Sequence, residues 1–293
     1  MYSHRRQNLI GEEGGLGELA RRRLLRMLML ATALAVALLL IGTLVSPATV
    51  YGQAADANLK RTPDMRDREC SQASLKGPYG YFFTGSAVDV GPVAAVGLAT
   101  FYGGDAVVVR DTLNMNGHIS RRNGTGYYQV NSNCTGSVAV TGDFGDFTFD
   151  FMIIPDSSGT EFSLIVTNSG AIQTGEAIHV GEEACTLATL HGTYRQSGST
   201  PPGPRSASVG FRIADGAGTF YGEDTQSING VIGHRIVMAA YTVNADCTVS
   251  ISASVGEFDG VLVDRGNQSF GLRADPGFIS LGLLKREERR RGR

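Results

Sequence analysis

Two pairs of oppositely charged residues recur at one spacing in this chain. Asp111 and Arg122 flank Asn116-Gly117, and Asp224 and Arg235 flank Asn229-Gly230 in the same way. Asn-Gly is the pair a two-residue type I′ hairpin favours, because both positions need φ above zero. The strands leaving such a turn run back in register, which sets each Asp opposite its Arg. On a surface this pairing fixes register and contributes about 0.2–1 kcal/mol. Asp111 shares its strand parity with Leu113 and Met115, so the pair can instead point inward, where it would be desolvated and could hold the polar group of a ligand. Tyr128 and Tyr241 recur as well, in Gly-Tyr-Tyr-Gln-Val-Asn and Ala-Ala-Tyr-Thr-Val-Asn. The candidate ligand-binding residues are therefore Asp111, Arg122, Tyr128, Asp224, Arg235 and Tyr241. A core role, with each hydroxyl at a rim, is the competing reading of the tyrosines.

Other chemistry is not indicated. His118, His179, His191 and His234 are not repeated, and the chain has no HExxH, GxSxG, phosphate-loop or EF-hand pattern. No catalytic residue, metal or cofactor is expected.

What positions these residues is a duplication. From Val96 against Val209 to Ser137 against Ser250 the chain aligns with itself without a gap, and fifteen of those 42 positions are identical. Cys70, Leu75, Gly77 and Tyr79 match Cys185, Leu190, Gly192 and Tyr194 upstream, while Gly170 and Gly175 match Gly277 and Gly282 downstream. Two units follow, 70–180 and 185–284. The Pro-rich stretch near residue 200 aligns inside the first unit and is read as a loop of the second, not as an interdomain linker.

Each unit owns one cysteine near its start and one in a Val-Asn-x-x-Cys-Thr segment. Among the three pairings four cysteines allow, Cys70–Cys134 and Cys185–Cys247 let each unit close itself. On the chain-entropy model each bond stabilises by roughly 4 kcal/mol. The absence of a CxxC motif, and of a His beside either pair, favours this over redox or zinc chemistry.

Within each unit apolar residues alternate, as in Phe147, Phe149, Phe151 and Ile153, or Val249, Ile251 and Ala253. That is the period of half-buried strands. Seven or eight antiparallel strands per unit with short connections predict two tandem up-and-down β-barrels, with a β-sandwich as the alternative. Glycine, 39 of 293 residues, and the absence of Trp suit strands and tight turns better than packed helices.

The ends carry an address. Arg21, Arg22, Arg23 and Arg26 precede an uncharged apolar helix over 27–45, and small residues follow, so residues 1–54 read as a signal peptide or, if retained, a membrane anchor. Residues 55–69 read as a disordered linker and 285–293 as a basic disordered tail. The expected location is outside the cytosol: periplasm, cell surface or secreted. Residues 70–284 hold 10 Lys and Arg against 19 Asp and Glu, a net charge of −9, which argues against nucleic acid as a partner.

At Ser/Thr-Leu-x-Gly-x-Tyr and Tyr-x-Val-Asn-x-x-Cys-Thr the chain resembles a class of exported bacterial proteins of unassigned role that carry one or more copies of such a unit. The second copy departs from that pattern by placing Val249 after Cys-Thr. The unit is similar to the barrels of allene oxide cyclase and dirigent proteins in strand count only, and no catalytic residue carries across. Three readings follow. The first is a non-enzymatic module for a small, partly apolar ligand, requiring a cavity of about 300 Å³ or more. The second is a structural or surface-interaction protein with filled barrels, which an exposed apolar patch would favour. The most distant is a barrel isomerase or cyclase with Asp111, Asp224 or Glu161 as a buried base beside an open cavity.

Overall fold

In the computed structural model of the chain, residues 69–154, 161–200 and 206–287 are described. The apolar segment at 27–45, the linker up to residue 68 and the tail beyond residue 287 lie outside them. The described residues form two closed eight-stranded antiparallel barrels. The first contains β1 (Lys76–Ala87), β2 (Gly91–Tyr102), β3 (Ala106–Met115), β4 (His118–Val130), β5 (Thr135–Gly142), β6 (Gly145–Ile154), β7 (Glu161–Val166) and β8 (Ala171–His179). The second contains β9 (His191–Ser199), β10 (Ser206–Asp215), β11 (Thr219–Ile228), β12 (Val231–Val243), β13 (Thr248–Ala253), β14 (Gly256–Val263), β15 (Gln268–Arg273) and β16 (Leu281–Arg286). Within each barrel every strand pairs with its chain neighbour, and β1–β8 and β9–β16 close the rings. Closure, not a sandwich, removes the free edges.

The Asn-Gly turns have the geometry their residues demand. Asn116 and Gly117 take φ of 51° and 87°, and Asn229 and Gly230 take 50° and 85°. Inward and outward residues alternate cleanly along β6, where Phe147, Phe149, Phe151 and Ile153 are buried. Alternation fails along β2, buried almost throughout, and along the second half of β14. There the outer faces of the two barrels are pressed together, so both faces of a strand are dry. Phe82 and Phe270 meet edge to face at 4.9 Å. Gly80 permits the approach, since a Cβ on it would lie 2.4 Å from Val263 Cγ1. Polar contacts rim this seam: Arg110–Asp246 at 2.7 Å and Arg121–Asp259 at 2.9 Å.

Cys70–Cys134 and Cys185–Cys247 are bonded. Each disulfide ties the approach to its barrel, including a single 3-10 turn at Gln72–Ser74 or Leu187–Thr189, to the β4–β5 or β12–β13 connection. One boundary moves. β16 runs on to Arg286, past the residue 284 limit drawn by alignment, because Arg286 donates to the Tyr194 hydroxyl at 2.7 Å and to the Thr189 carbonyl at 2.9 Å. Lys285 and Arg286 thus belong to the sheet, not to the basic tail.

Candidate functional site in the second barrel

Each repeated Asp faces its Arg across the Asn-Gly hairpin, and both pairs point into the barrel interiors. The glycines Gly97 and Gly210 make room for them: a Cβ there would lie 2.4 Å or 2.7 Å from the Cβ of the facing Asp111 or Asp224. In the first barrel, Arg122 Nε and Nη2 donate to Asp111 at 2.7 and 2.5 Å, and the Tyr81 hydroxyl donates to the same carboxylate at 2.6 Å. Burial, reinforced by the Asp111 charge, pushes the Tyr81 hydroxyl well above its ordinary pKa, so it remains a donor. Burial alone would lower the Arg122 pKa, but the Asp111 hydrogen bond and charge, with Tyr81 and Asp143, together raise it.

The second barrel keeps the Asp and the Arg and changes their company. Gln196 faces Gly210 and Leu284 as Tyr81 faces Gly97 and Ala177, so Gln196 stands in the place of Tyr81. Arg212 faces Tyr194 as Ala99 faces Tyr79, so a guanidinium replaces a methyl group. Its space comes from Gly222, where Val109 stands in the first barrel; a Cβ on Gly222 would lie 2.6 Å from Arg212 Cδ. Asp224 then accepts from Arg212 Nη2 at 2.6 Å, Arg235 Nε at 2.7 Å and Arg235 Nη2 at 3.2 Å.

Above this cluster the two interiors diverge. Phe83, Phe151, Phe162 and Leu164 fill the first barrel, with Phe83 stacked on Phe147 at 5.4 Å and Phe151 tilted against Phe162 at 5.3 Å. By strand register their counterparts are Gly198, Gly260, Ser269 and Gly271. The side chains removed leave a cavity of about 100 Å³. Its wall combines Gly198, Gly271 and Gly282 with the apolar Phe220, Val237, Ile251 and Leu284, the hydroxyls of Ser208, Ser269 and Ser280, and three polar groups, Gln196, Arg212 and Arg235. Gln196 is buried; its Nε2 lies 3.1 Å from Ser208 Oγ, and its Oε1 has no hydrogen-bond partner. Burial, the dominant influence, lowers the Arg212 pKa and the nearby Arg235 adds to it, against the attraction of Asp224.

The six candidate residues are thus separated. Arg235 lines the cavity, and Asp224 sits behind it holding both guanidinium groups. Asp111 and Arg122 occupy the filled barrel. Neither tyrosine lines this cavity. The Tyr128 hydroxyl donates to the Leu75 carbonyl at 2.9 Å and the Tyr241 hydroxyl to the Leu190 carbonyl at 2.8 Å, which closes the disulfide end of each barrel. Phe220, stacked on Tyr241 at 6.2 Å, stands between it and the cavity. The repeat pattern passes over Gln196 and Arg212, because neither has an identical counterpart; Gly198 and Gly271, where the first copy has Phe83 and Leu164, are the available signal. Among the described residues no three of His, Cys, Asp and Glu gather as a metal site would require.

No protein-family model matches the chain, and no curated protein matches it. A solved structure from Nostoc punctiforme, a protein of unknown function from the DUF3598 family, is similar over 75% of this chain and all of that one, at 12% identity and a TM-score of 0.20. So slight a likeness bears on neither ligand nor reaction.

Proposed function

We propose that the second barrel is a non-enzymatic binding module for a small, partly apolar ligand, carried by an exported protein whose first barrel is structural. One observation supports this above the others: the interior that aromatic rings fill in the first barrel is open in the second, and a buried amide and two guanidinium groups converge on it. At about 100 Å³ the cavity falls short of the roughly 300 Å³ expected from the sequence, which excludes a drug-sized ligand. A cavity of about 150 Å³ accommodates benzene, so the enclosed part of the ligand has about four or five non-hydrogen atoms. The two disulfides are compatible with export. Asp224 is held by Arg212 and Arg235 and does not line the cavity, which argues against it as the base of a barrel isomerase.

The test is native mass spectrometry of protein purified from its source, beside a Gly271→Leu variant that restores the first barrel's Leu164. An adduct on the native chain that the variant lacks supports the reading. A bare native chain, or an adduct retained by the variant, overturns it.

A second reading is favoured by the outside of the same barrel. Ile213, Tyr221 and Met238 face one another across β10, β11 and β12, with Ile236 beside them, and all four are exposed. A contiguous apolar patch of this kind suits a surface contact. Ile236→Asp with Met238→Asp should then abolish that contact while leaving any ligand in place, as a pull-down from the envelope would show.

A further inference from the structure

Three charges meet in the second barrel where two meet in the first; Arg212 and Asp224 are buried and Arg235 is partly exposed. Arg212 and Arg235 share the single carboxylate of Asp224, whose side chain is wholly buried, which leaves one positive charge uncompensated among them. The first barrel balances Asp111 with Arg122 and adds the neutral Tyr81. Charge inside a low-dielectric interior is costly unless matched, and this excess lies against an open cavity. Arg235 Nη1 makes no hydrogen bond with the described residues. The Gln196 amide has one atom toward Ser208 Oγ and the other without a partner. Turned over, it would accept from the Ser208 hydroxyl and offer Nε2 to an acceptor in the cavity. The apolar part of the wall includes Phe220, Val237, Ile251 and Leu284, which no anion satisfies but a short hydrocarbon does.

We propose that this cavity binds a small organic anion, a monocarboxylate with a short apolar tail, its head taken by Arg235, Arg212 and the Gln196 amide and its tail by the apolar wall. This rests on the binding-module reading above and names its ligand class. A carboxylate supplies the missing negative charge and accepts two or three charge-assisted hydrogen bonds in one small group. Neutral isosteres supply acceptors but not the charge.

The experiment is calorimetric titration of the intact chain with propionate and with propionamide, its uncharged isostere. Two variants accompany it: Gln196→Tyr with Arg212→Ala, which rebuilds the first barrel's Tyr–Asp–Arg cluster inside the second, and Gly271→Leu, which fills the space. The expected result is binding of propionate, at least about tenfold weaker binding of propionamide, a loss of about 10- to 100-fold in the rebuilt cluster and no binding to the filled variant. Circular dichroism melting confirms that each variant folds. Equal binding of both probes to the native chain, lost only when the cavity is filled, overturns the anion class and leaves a binding module. Binding of neither probe, nor of acetate or butyrate, overturns the anion class. Gly271→Leu with an unchanged native adduct overturns the module itself.

Discussion

The two barrels share a frame and differ in what the frame encloses. Both have eight strands in the same order, the same Asn-Gly turn, the same interior Asp–Arg pair and the same tyrosine closing the disulfide end. In the first the interior is spent on packing: aromatic rings meet ring to ring, and the Asp–Arg pair is completed by a tyrosine hydroxyl. In the second, glycine and serine stand where rings were, and a second guanidinium replaces the hydroxyl. Packing of that kind is worth several kcal/mol. A duplicated unit can lose it in one copy while the other copy, pressed against it through Phe82 and Phe270, supplies rigidity.

Substitutions at matched positions separate what the two barrels share from what they do not. The largest effect is expected where the barrels are alike. Cys70→Ser with Cys134→Ser, and Cys185→Ser with Cys247→Ser, should each lose roughly 4 kcal/mol in urea unfolding, nearly equally, because the bonds span 64 and 62 residues. Markedly unequal losses would deny that the frame is shared. Next come the interiors. Phe162→Ala should cost about 3–5 kcal/mol, whereas Ser269→Ala at the matching place should stay within about 0.5 kcal/mol. A third test turns on sign. A Cβ on Gly175 would lie 1.9 Å from the Phe82 carbonyl oxygen, whereas the matching Gly282 has its nearest neighbour at 3.8 Å. Gly175→Ala should therefore destabilise by about 1–3 kcal/mol, and Gly282→Ala should stabilise by about 0.4–1 kcal/mol, as melting of the two variants would report.

The smallest effect concerns pH. His179 stacks edge-on to Tyr79 at 5.1 Å, the place Arg286 takes over Tyr194 in the second barrel. Burial lowers the His179 pKa, with the Arg265 charge acting the same way and Glu182 opposing, and its Nδ1 accepts the Gly181 N–H at 3.1 Å. As pH falls, the unfolded chain takes up this proton first, near its ordinary value of about 6.5. The stability present above that value is then lost as pH falls through the lower folded value. Replacing His179 by Asn should flatten the melting temperature between pH 7.5 and 5; an unchanged slope would remove His179 from the account.

Much of the frame was legible in the residues themselves. Alternation gave the strands, the Asn-Gly pairs gave the hairpins and their register, and duplication chose the disulfides. What could not be read were the exceptions to repetition. Matching copy against copy selects what both keep, and Asp224, Arg235 and Tyr241 are of that kind. The residues that make the second interior different, Gln196, Arg212, Gly198 and Gly271, differ from their counterparts, so the same comparison discards them. Nor could periodicity reveal the barrel–barrel seam, since a strand buried on both faces by a neighbour reads like any apolar run. The Gly175 and Gly282 match illustrates the limit: one letter, two environments.

The most direct measurement is a crystal structure of the protein equilibrated with propionate. The account requires density for the carboxylate beside Arg235 and Gln196 in the second barrel, with the first barrel's rings closed around one another. A second barrel whose side chains have collapsed into the space, or propionate within both barrels, would contradict it.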